Sequence, residues 1–166
     1  MLDWLRRHSW WGLLGIATLL VLFGIGDLLI GFTWDPGIPV GLVGLTPTEL
    51  ERQSADAYRL LEYGTRSGGL SLILSGGLFT VVLLAGFRRN QRWAWRTMWA
   101  MPAWMASAVL LNLAFGVAPG QPPPPPLISG LILMIVAAMI LIISAPRFFG
   151  SRAGTVDQPS SAATNP

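Results

Sequence analysis

Four apolar runs, each about 20 residues long, occupy positions 10–30, 67–87, 93–115 and 127–145. A helix rises 1.5 Å per residue, so each run reaches about 30 Å, the thickness of a bilayer's hydrocarbon core. Only 11% of the chain is charged and 52% is hydrophobic, against about 25% charged in a typical soluble domain. Most of the chain therefore need not face water. The expected class is all-α, an integral membrane four-helix transmembrane bundle forming a single domain over residues 1–145.

The first run is too long for a secretory signal, whose apolar core spans about 7–15 residues. It leads into Gly26-Asp27 without an A-x-A cleavage pattern, so a retained first span is expected. The connector Phe87–Arg96, FRRNQRWAWR, is the densest cluster of charge. It holds Arg88, Arg89, Arg92 and Arg96, no acid, and Trp93 and Trp95 at its edge. A basic, Trp-flanked connector between apolar runs reads as a cytoplasmic loop. That assignment puts eight arginines inside: Arg6, Arg7, Arg88, Arg89, Arg92, Arg96, Arg147 and Arg152. Only Arg52, Arg59 and Arg66 lie outside. The expected location is a bacterial cytoplasmic membrane, with both termini cytoplasmic. The lipid bilayer is then the first partner, joined by a homo-oligomer or another membrane protein. Nothing in the charge pattern fits a nucleic-acid surface.

Residues 31–66 form the extracytoplasmic insertion. Its first part, GFTWDPGIPVGLVG, is Gly- and Pro-rich and should be irregular. A helix should start after it, with Thr46 as N-cap, Pro47 at the first helical position and Glu49 closing a capping box. Gly64, Gly68 and Gly69 mark the expected bend into the second span. In that span Gly64, Gly68, Ser71 and Ser75 share a helical face, and small residues let membrane helices approach closely, so this face is expected to pack. Pro102 should loosen the third span. Pro122–Pro126 should form a stiff polyproline II spacer. The fourth span should stop before Pro146, leaving 146–166 as a disordered cytoplasmic tail.

Chemistry-bearing residues are few. With no Cys, thiolate metal sites and Cys nucleophiles are excluded, and no nucleophile–base pair or phosphate-cradling loop stands out. No cofactor is implied, and nothing argues positively for an enzyme. Asp27 is the one acid within an apolar run. A carboxylate at a span's centre costs about 2.5–3.5 kcal/mol on insertion scales, and such a residue marks a functional site by default. The topology offers it partners at similar depth, giving an expected outer-leaflet cluster of Asp27, Arg66 and Asn112 with Tyr63 or Tyr58 nearby. A structural tie between helix ends is the competing reading. Arg88, Arg89, Arg92 and Arg96 are candidates for lipid head-groups. Met98, Met101 and Met105 lie three and four residues apart. Thioethers select soft metals, but Met is also an adaptable core residue, and packing is the stronger reading. His8 reads as an interfacial residue.

The stretch from Gly44 to Pro102 resembles a group of small bacterial four-span membrane proteins. The likeness rests on Gly44-Leu45-Thr46 before the outer helix, the Gly-rich second span, the loop and an early Pro in the third span, here Pro102. The loop pattern is Arg-Arg-Gly-Glu-Arg-Trp-Ala-Trp; here Asn90-Gln91 replace Gly-Glu. More loosely, the architecture is similar to DoxX-like four-helix proteins. The resemblance covers about a third of the chain and implies a membrane family without implying an activity. The functional expectation is a non-enzymatic membrane module that binds lipid, a small apolar ligand or a partner protein. The alternative is a small transporter or redox-associated membrane enzyme working through Asp27.

Overall fold

The computed structural model describes residues 2–149. All regular structure among them is helical. Four helical stretches, His8–Thr33, Ala55–Phe87, Arg92–Phe115 and Pro125–Phe149, are long and apolar enough to cross a membrane. They mark a multi-pass membrane protein with an all-α four-helix bundle. Most of each span is exposed on the protein surface. That is the pattern of helices whose outer faces meet lipid, which is as apolar as Leu and needs no polar covering.

Helix α1 (Leu2–Ile30) runs without a break and ends in a short 3-10 turn, Gly31–Thr33. Gly31 has φ +76°, the left-handed C′ conformation that terminates many helices. The segment after it is not irregular as expected. It contains α2 (Gly37–Val43). Asp35 Oδ1 accepts from Gly37 N–H at 3.2 Å and starts the helix. Pro39 falls in the first turn, where its missing N–H breaks no bond, and Gly44 closes the helix at φ +73°. Helix α3 (Pro47–Gln53) opens on the expected capping box, with Pro47 just after the N-cap.

Ser54 then breaks the chain. Its backbone is extended, and its hydroxyl accepts from Ala57 N–H to cap α4 (Ala55–Val82). No helix break falls at Gly64–Gly69, and α4 continues through those glycines as one helix. A polar cap at Ser54 ends one helix and begins the next, which the permissive glycines do not do. A π-helical turn, Leu83–Phe87, finishes this span. It sets Gly86 against α5 (Arg92–Met98), where an added Cβ would meet Trp93 Cζ2 at 2.6 Å.

The third span is α5 and α6 (Ala100–Phe115), separated at Trp99. This is the loosening expected of Pro102, which offers no N–H to the Met98 carbonyl. The chain tightens there, with Trp99 N–H bonded to Arg96 O at 3.2 Å. The fourth span, α7 (Pro125–Phe149), departs from expectation at both ends. Pro125 and Pro126 lie inside its first turn, where no intrahelical N–H is required. Only Pro122–Pro124 remain in the connector, and they are not a free spacer. Pro124 is buried against α2, where a Cβ on Gly41 would lie 2.8 Å from Pro124 N. Ala118 N–H donates to Gly41 O at 2.9 Å, so α2 and the connector cap this end together. At its other end α7 continues through Pro146 to Phe149. Just before Pro146, Leu141 O accepts from Ser144 Oγ at 2.9 Å and from Trp95 Nε1 at 3.0 Å, which ties this part of α7 to α5. Residues 146–149 are thus helix, and the rest of the expected tail lies outside the described residues.

In the bundle α1 packs on α4 and α7, and α7 packs on α6. The core lies toward the end that carries the Arg88–Arg96 loop. Leu13, Ala17, Phe79, Leu83, Phe87, Ala94, Leu141 and Phe148 are buried there. Met98, Met101 and Met105 are buried among them, as adaptable side chains filling an irregular interior.

The α1–α4 seam is made by small residues, but not by the expected ones. A Cβ on Gly24 would lie 2.5 Å from Gly69 O, and one on Gly76 would lie 2.7 Å from Ala17 O. Ala17 and Gly24 are seven residues apart, as are Gly69 and Gly76, so two closely spaced contacts hold the pair. By contrast, a Cβ at Gly64, Gly68 or Gly77 meets nothing within 4 Å. The face of Gly64, Gly68 and Ser71 points outward. Both faces of α4 carry small residues, and only the match to α1 selects between them.

Candidate functional site

At the cap end, α1 terminates with carbonyls that no further helical N–H can reach. Arg66 on α4 fills this role. Its Nη1 donates to Leu28 O at 2.9 Å and to Leu29 O at 3.4 Å. The guanidinium is held by Glu62, one turn back on α4, with Nε to Oε1 at 2.8 Å and Nη2 to Oε1 at 2.7 Å. Glu62 Oε2 in turn accepts from Phe32 N–H at 3.3 Å. The pair therefore clamps a carbonyl and an amide on opposite sides of Gly31. The clamp also requires glycine there, because a Cβ on Gly31 would lie 2.2 Å from Glu62 Oε1. Phe32 is fully buried below and meets Tyr58 edge-on at 4.9 Å between centroids.

The expected Asp27 cluster is only partly assembled. Arg66 reaches α1 one residue past Asp27, through backbone carbonyls and not through the carboxylate. Asn112 donates its Nδ2 to Ala108 O of its own helix at 2.9 Å. Tyr63 is exposed. Asp27 itself is half-buried, packed where a Cβ on Gly69 would come within 2.8 Å of its own Cβ. Sequence reasoning passed over Glu62 as Arg66's partner. Its spacing of four residues before Arg66 on a helix was the available signal.

At the opposite end, the arginines of the loop divide into two groups. Arg92 Nε donates to Phe148 O at 3.0 Å, capping the last turn of α7, and its guanidinium lies 5.7 Å from the Phe149 ring centroid. Arg88 lies over the Trp10 ring at 5.4 Å. These two tie the loop to α7 and α1. The side chains of Arg89 and Arg96 are exposed and make no hydrogen bond or ion pair among the described residues. Asn90 has φ +56°, the left-handed region in which Gly and Asn are tolerated. Its Oδ1 accepts from Arg147 Nη2, while Arg147 Nη1 reaches Ser9 Oγ at 3.5 Å. Arg147 thus links the loop, α7 and α1. Gln91 Oε1 accepts from Trp93 Nε1.

No family model, curated protein or solved structure matches the chain. The site is therefore read from its own geometry. Among the described residues no three His, Cys, Asp or Glu side chains are grouped to hold a metal ion. The polar contacts at the two ends are chiefly bonds from a side chain to backbone at a helix terminus, which hold helices in place and do not assemble a nucleophile with a base. Two surface grooves of about 430 and 440 Å³ lie against α7. One is formed with α6 at Trp99, Pro102 and Ala103, and the other with α1 at Trp4, His8, Trp11 and Gly12.

Proposed function

We propose that the protein is a non-enzymatic module of a bacterial cytoplasmic membrane that binds lipid, a small apolar ligand or a partner protein, a second copy of itself included. The observation that carries this reading is the open small-residue face of α4. Gly64 and Gly68, one turn apart on it, leave backbone uncovered, with nothing within 4 Å of an added Cβ. In lipid such a face favours close approach of another helix. Meanwhile Arg66, Glu62, Arg92 and Arg147 are engaged in holding helix ends. The excess of arginine in the loop and near the termini supports cytoplasmic placement of both termini. Exposed Arg89 and Arg96, with Arg88 and Arg92 beside them, are suited to attract anionic head-groups at about 1 kcal/mol each.

A second reading rests on Asp27. Its carboxylate lies in an apolar span and makes no side-chain hydrogen bond or ion pair among the described residues, the condition under which an intramembrane acid is a functional candidate. A small transporter or a redox-associated membrane enzyme would use it. The two readings separate on paired variants examined by native mass spectrometry from mild detergent. A module loses its bound lipid, ligand or second copy on Gly68→Leu or Ser71→Leu and keeps it in Asp27→Asn and Asn112→Ala. The reverse pattern favours the Asp27 reading.

A further inference from the structure

Residues 36–45, which form α2 and its closing turn, carry no polar side chain. One side of α2 packs against the start of α7. Pro39 is buried, and a Cβ on Gly37 would lie 2.8 Å from Pro125 Cδ. The other side is open, with Val43 54% exposed. Trp34, just before α2, folds back along α1. A Cβ on Gly26 would lie 3.0 Å from Trp34 Cε2, and Gly26 stands about 6 Å short of the end of α1 at Ile30. Leu22, Phe23, Leu29 and Ile30 are three or four residues from Gly26, hence on its face of the helix, and all are exposed, Leu29 by 69%. The Trp34 ring, itself 49% exposed, therefore rests on a flank of the first span that meets lipid. It does so near the span's end, where Trp rings gather at membrane interfaces.

The backbone supplies a separate observation. Trp34 N–H bonds Gly31 O, Asp35 N–H bonds Phe32 O and Ile38 N–H bonds Asp35 O, each at 3.2 Å. Gly37 N–H reaches Asp35 Oδ1. The helix takes the N–H groups of Val40 to Gly44, and Pro36 and Pro39 have none. The Thr33 hydroxyl donates to Ile30 O at 3.1 Å. Every backbone donor from Trp34 to Gly44 is thus satisfied inside the protein. A loop in water has no such requirement, whereas backbone in lipid does.

We propose that Trp34 and α2 form an interfacial segment seated in the leaflet at this end of the bundle, with the Trp34 ring and Val43 against phospholipid. Three features select lipid as what covers this surface. The Trp34 surface is continuous with the lipid-facing flank of α1. The backbone donors are closed internally, as immersion demands. No charged residue lies between Asp35 and Glu49 to be held in water or paired across a protein interface. Only α3 and the first turns of α4 then stand in water, where Glu49, Glu51, Arg52, Asp56 and Arg59 are exposed. The inference goes beyond the module reading and depends neither on it nor on which side of the membrane this end faces.

The chain has no cysteine, so a nitroxide can be placed at one position at a time. Val43→Cys is compared with Leu29→Cys, a lipid reference, and Gln53→Cys, a water reference. Each full-length variant is spin-labelled, checked by circular dichroism and reconstituted at high dilution in vesicles of phosphatidylcholine and phosphatidylglycerol. Power saturation then compares collision with oxygen, which concentrates in lipid, and with a water-soluble nickel chelate. The oxygen-to-nickel ratio at position 43 should approach that at 29 and exceed that at 53 several-fold. A ratio equal to that at 53 puts α2 in water and overturns the proposal. Low collision with both reagents at 43 means that protein covers it, a second copy included, and overturns the proposal as well. Trp34 gives a reading that needs no cysteine variant. Its share of the emission is the difference between the native chain and Trp34→Phe. Phosphatidylcholine brominated near the glycerol end of its chains should quench that share more than phosphatidylcholine brominated near their tips. Quenching by neither lipid, or stronger quenching by the deep one, overturns the interfacial placement.

Discussion

Gly24 and Gly69 meet across the α1–α4 seam so closely that a Cβ on Gly69 would lie 2.7 Å from the Gly24 carbonyl oxygen. No side chain fits there without moving backbone. Seven residues further along α4, Gly76 meets Ala17 in the same way. Gly69→Ala should therefore destabilise the protein by about 1–3 kcal/mol, the usual cost of overpacking. Gly64→Ala and Gly77→Ala, on open surface, should be neutral or stabilising by up to about 1 kcal/mol, because Ala is the better helix former. Thermal unfolding in one detergent compares all three directly. Equal destabilisation at Gly69 and Gly64 would refute the assignment of the packed face.

The Arg66–Glu62 clamp predicts a coupled pair. Arg66→Gln should cost about 1–3 kcal/mol, because Glu62 and the α1 carbonyls lose a charged partner together. Glu62→Gln should cost less, since its oxygen still accepts from Phe32 N–H. The double variant should be less destabilised than the sum of the two. Unfolding midpoints of the four proteins give the cycle, and strict additivity would mean that the pair does not act as a unit.

The capping box carries a pH dependence. Thr46 N–H donates to Glu49 at 2.8 Å and the Thr46 hydroxyl donates at 2.7 Å. These bonds, the backbone one first, hold the Glu49 carboxyl below the usual glutamate range. A depressed folded pKa contributes stability that is present above the unfolded pKa and is lost as pH falls through the folded value. Amide exchange over Pro47–Gln53 should therefore quicken, relative to its intrinsic rate, as pH falls below the carboxylate range. In Glu49→Gln this added dependence should disappear.

At the other end, Asn90 sits at φ +56° and accepts from Arg147. Asn90→Gly keeps the backbone conformation and loses the bond. Asn90→Ala loses the bond and also forces a left-handed residue, at about 1–2 kcal/mol. The alanine variant should unfold at the lower temperature. The reverse order would place the loop's strain elsewhere.

What the sequence made legible was whatever depends on neighbours along the chain. The four spans follow from run length and polarity. The Thr46–Glu49 box and the loosening before Pro102 follow from donors and acceptors within one turn. What escaped depends on partners far away. The face of Gly64, Gly68, Ser71 and Ser75, expected to pack, stays open because α1 supplies Ala17 and Gly24 at the seven-residue interval of Gly76 and Gly69. Pro146 reads as a stop along the chain, but the turn beyond it is held by Arg92, whose Nε reaches Phe148 O from 56 residues earlier. The Asp27 cluster was drawn by depth alone. At that depth the open carbonyls at the end of α1 engaged Arg66.

The most direct test of the whole account is the sidedness of its two ends. The chain has no cysteine, so Gln53→Cys in the cap and Arg89→Cys in the loop, both exposed, can each be labelled alone. They would be probed with a membrane-impermeant maleimide in spheroplasts of a bacterial host. The account predicts that Gln53→Cys reacts in intact spheroplasts and Arg89→Cys reacts only after the membrane is permeabilised. Labelling of Arg89→Cys from outside, with Gln53→Cys protected, would contradict it.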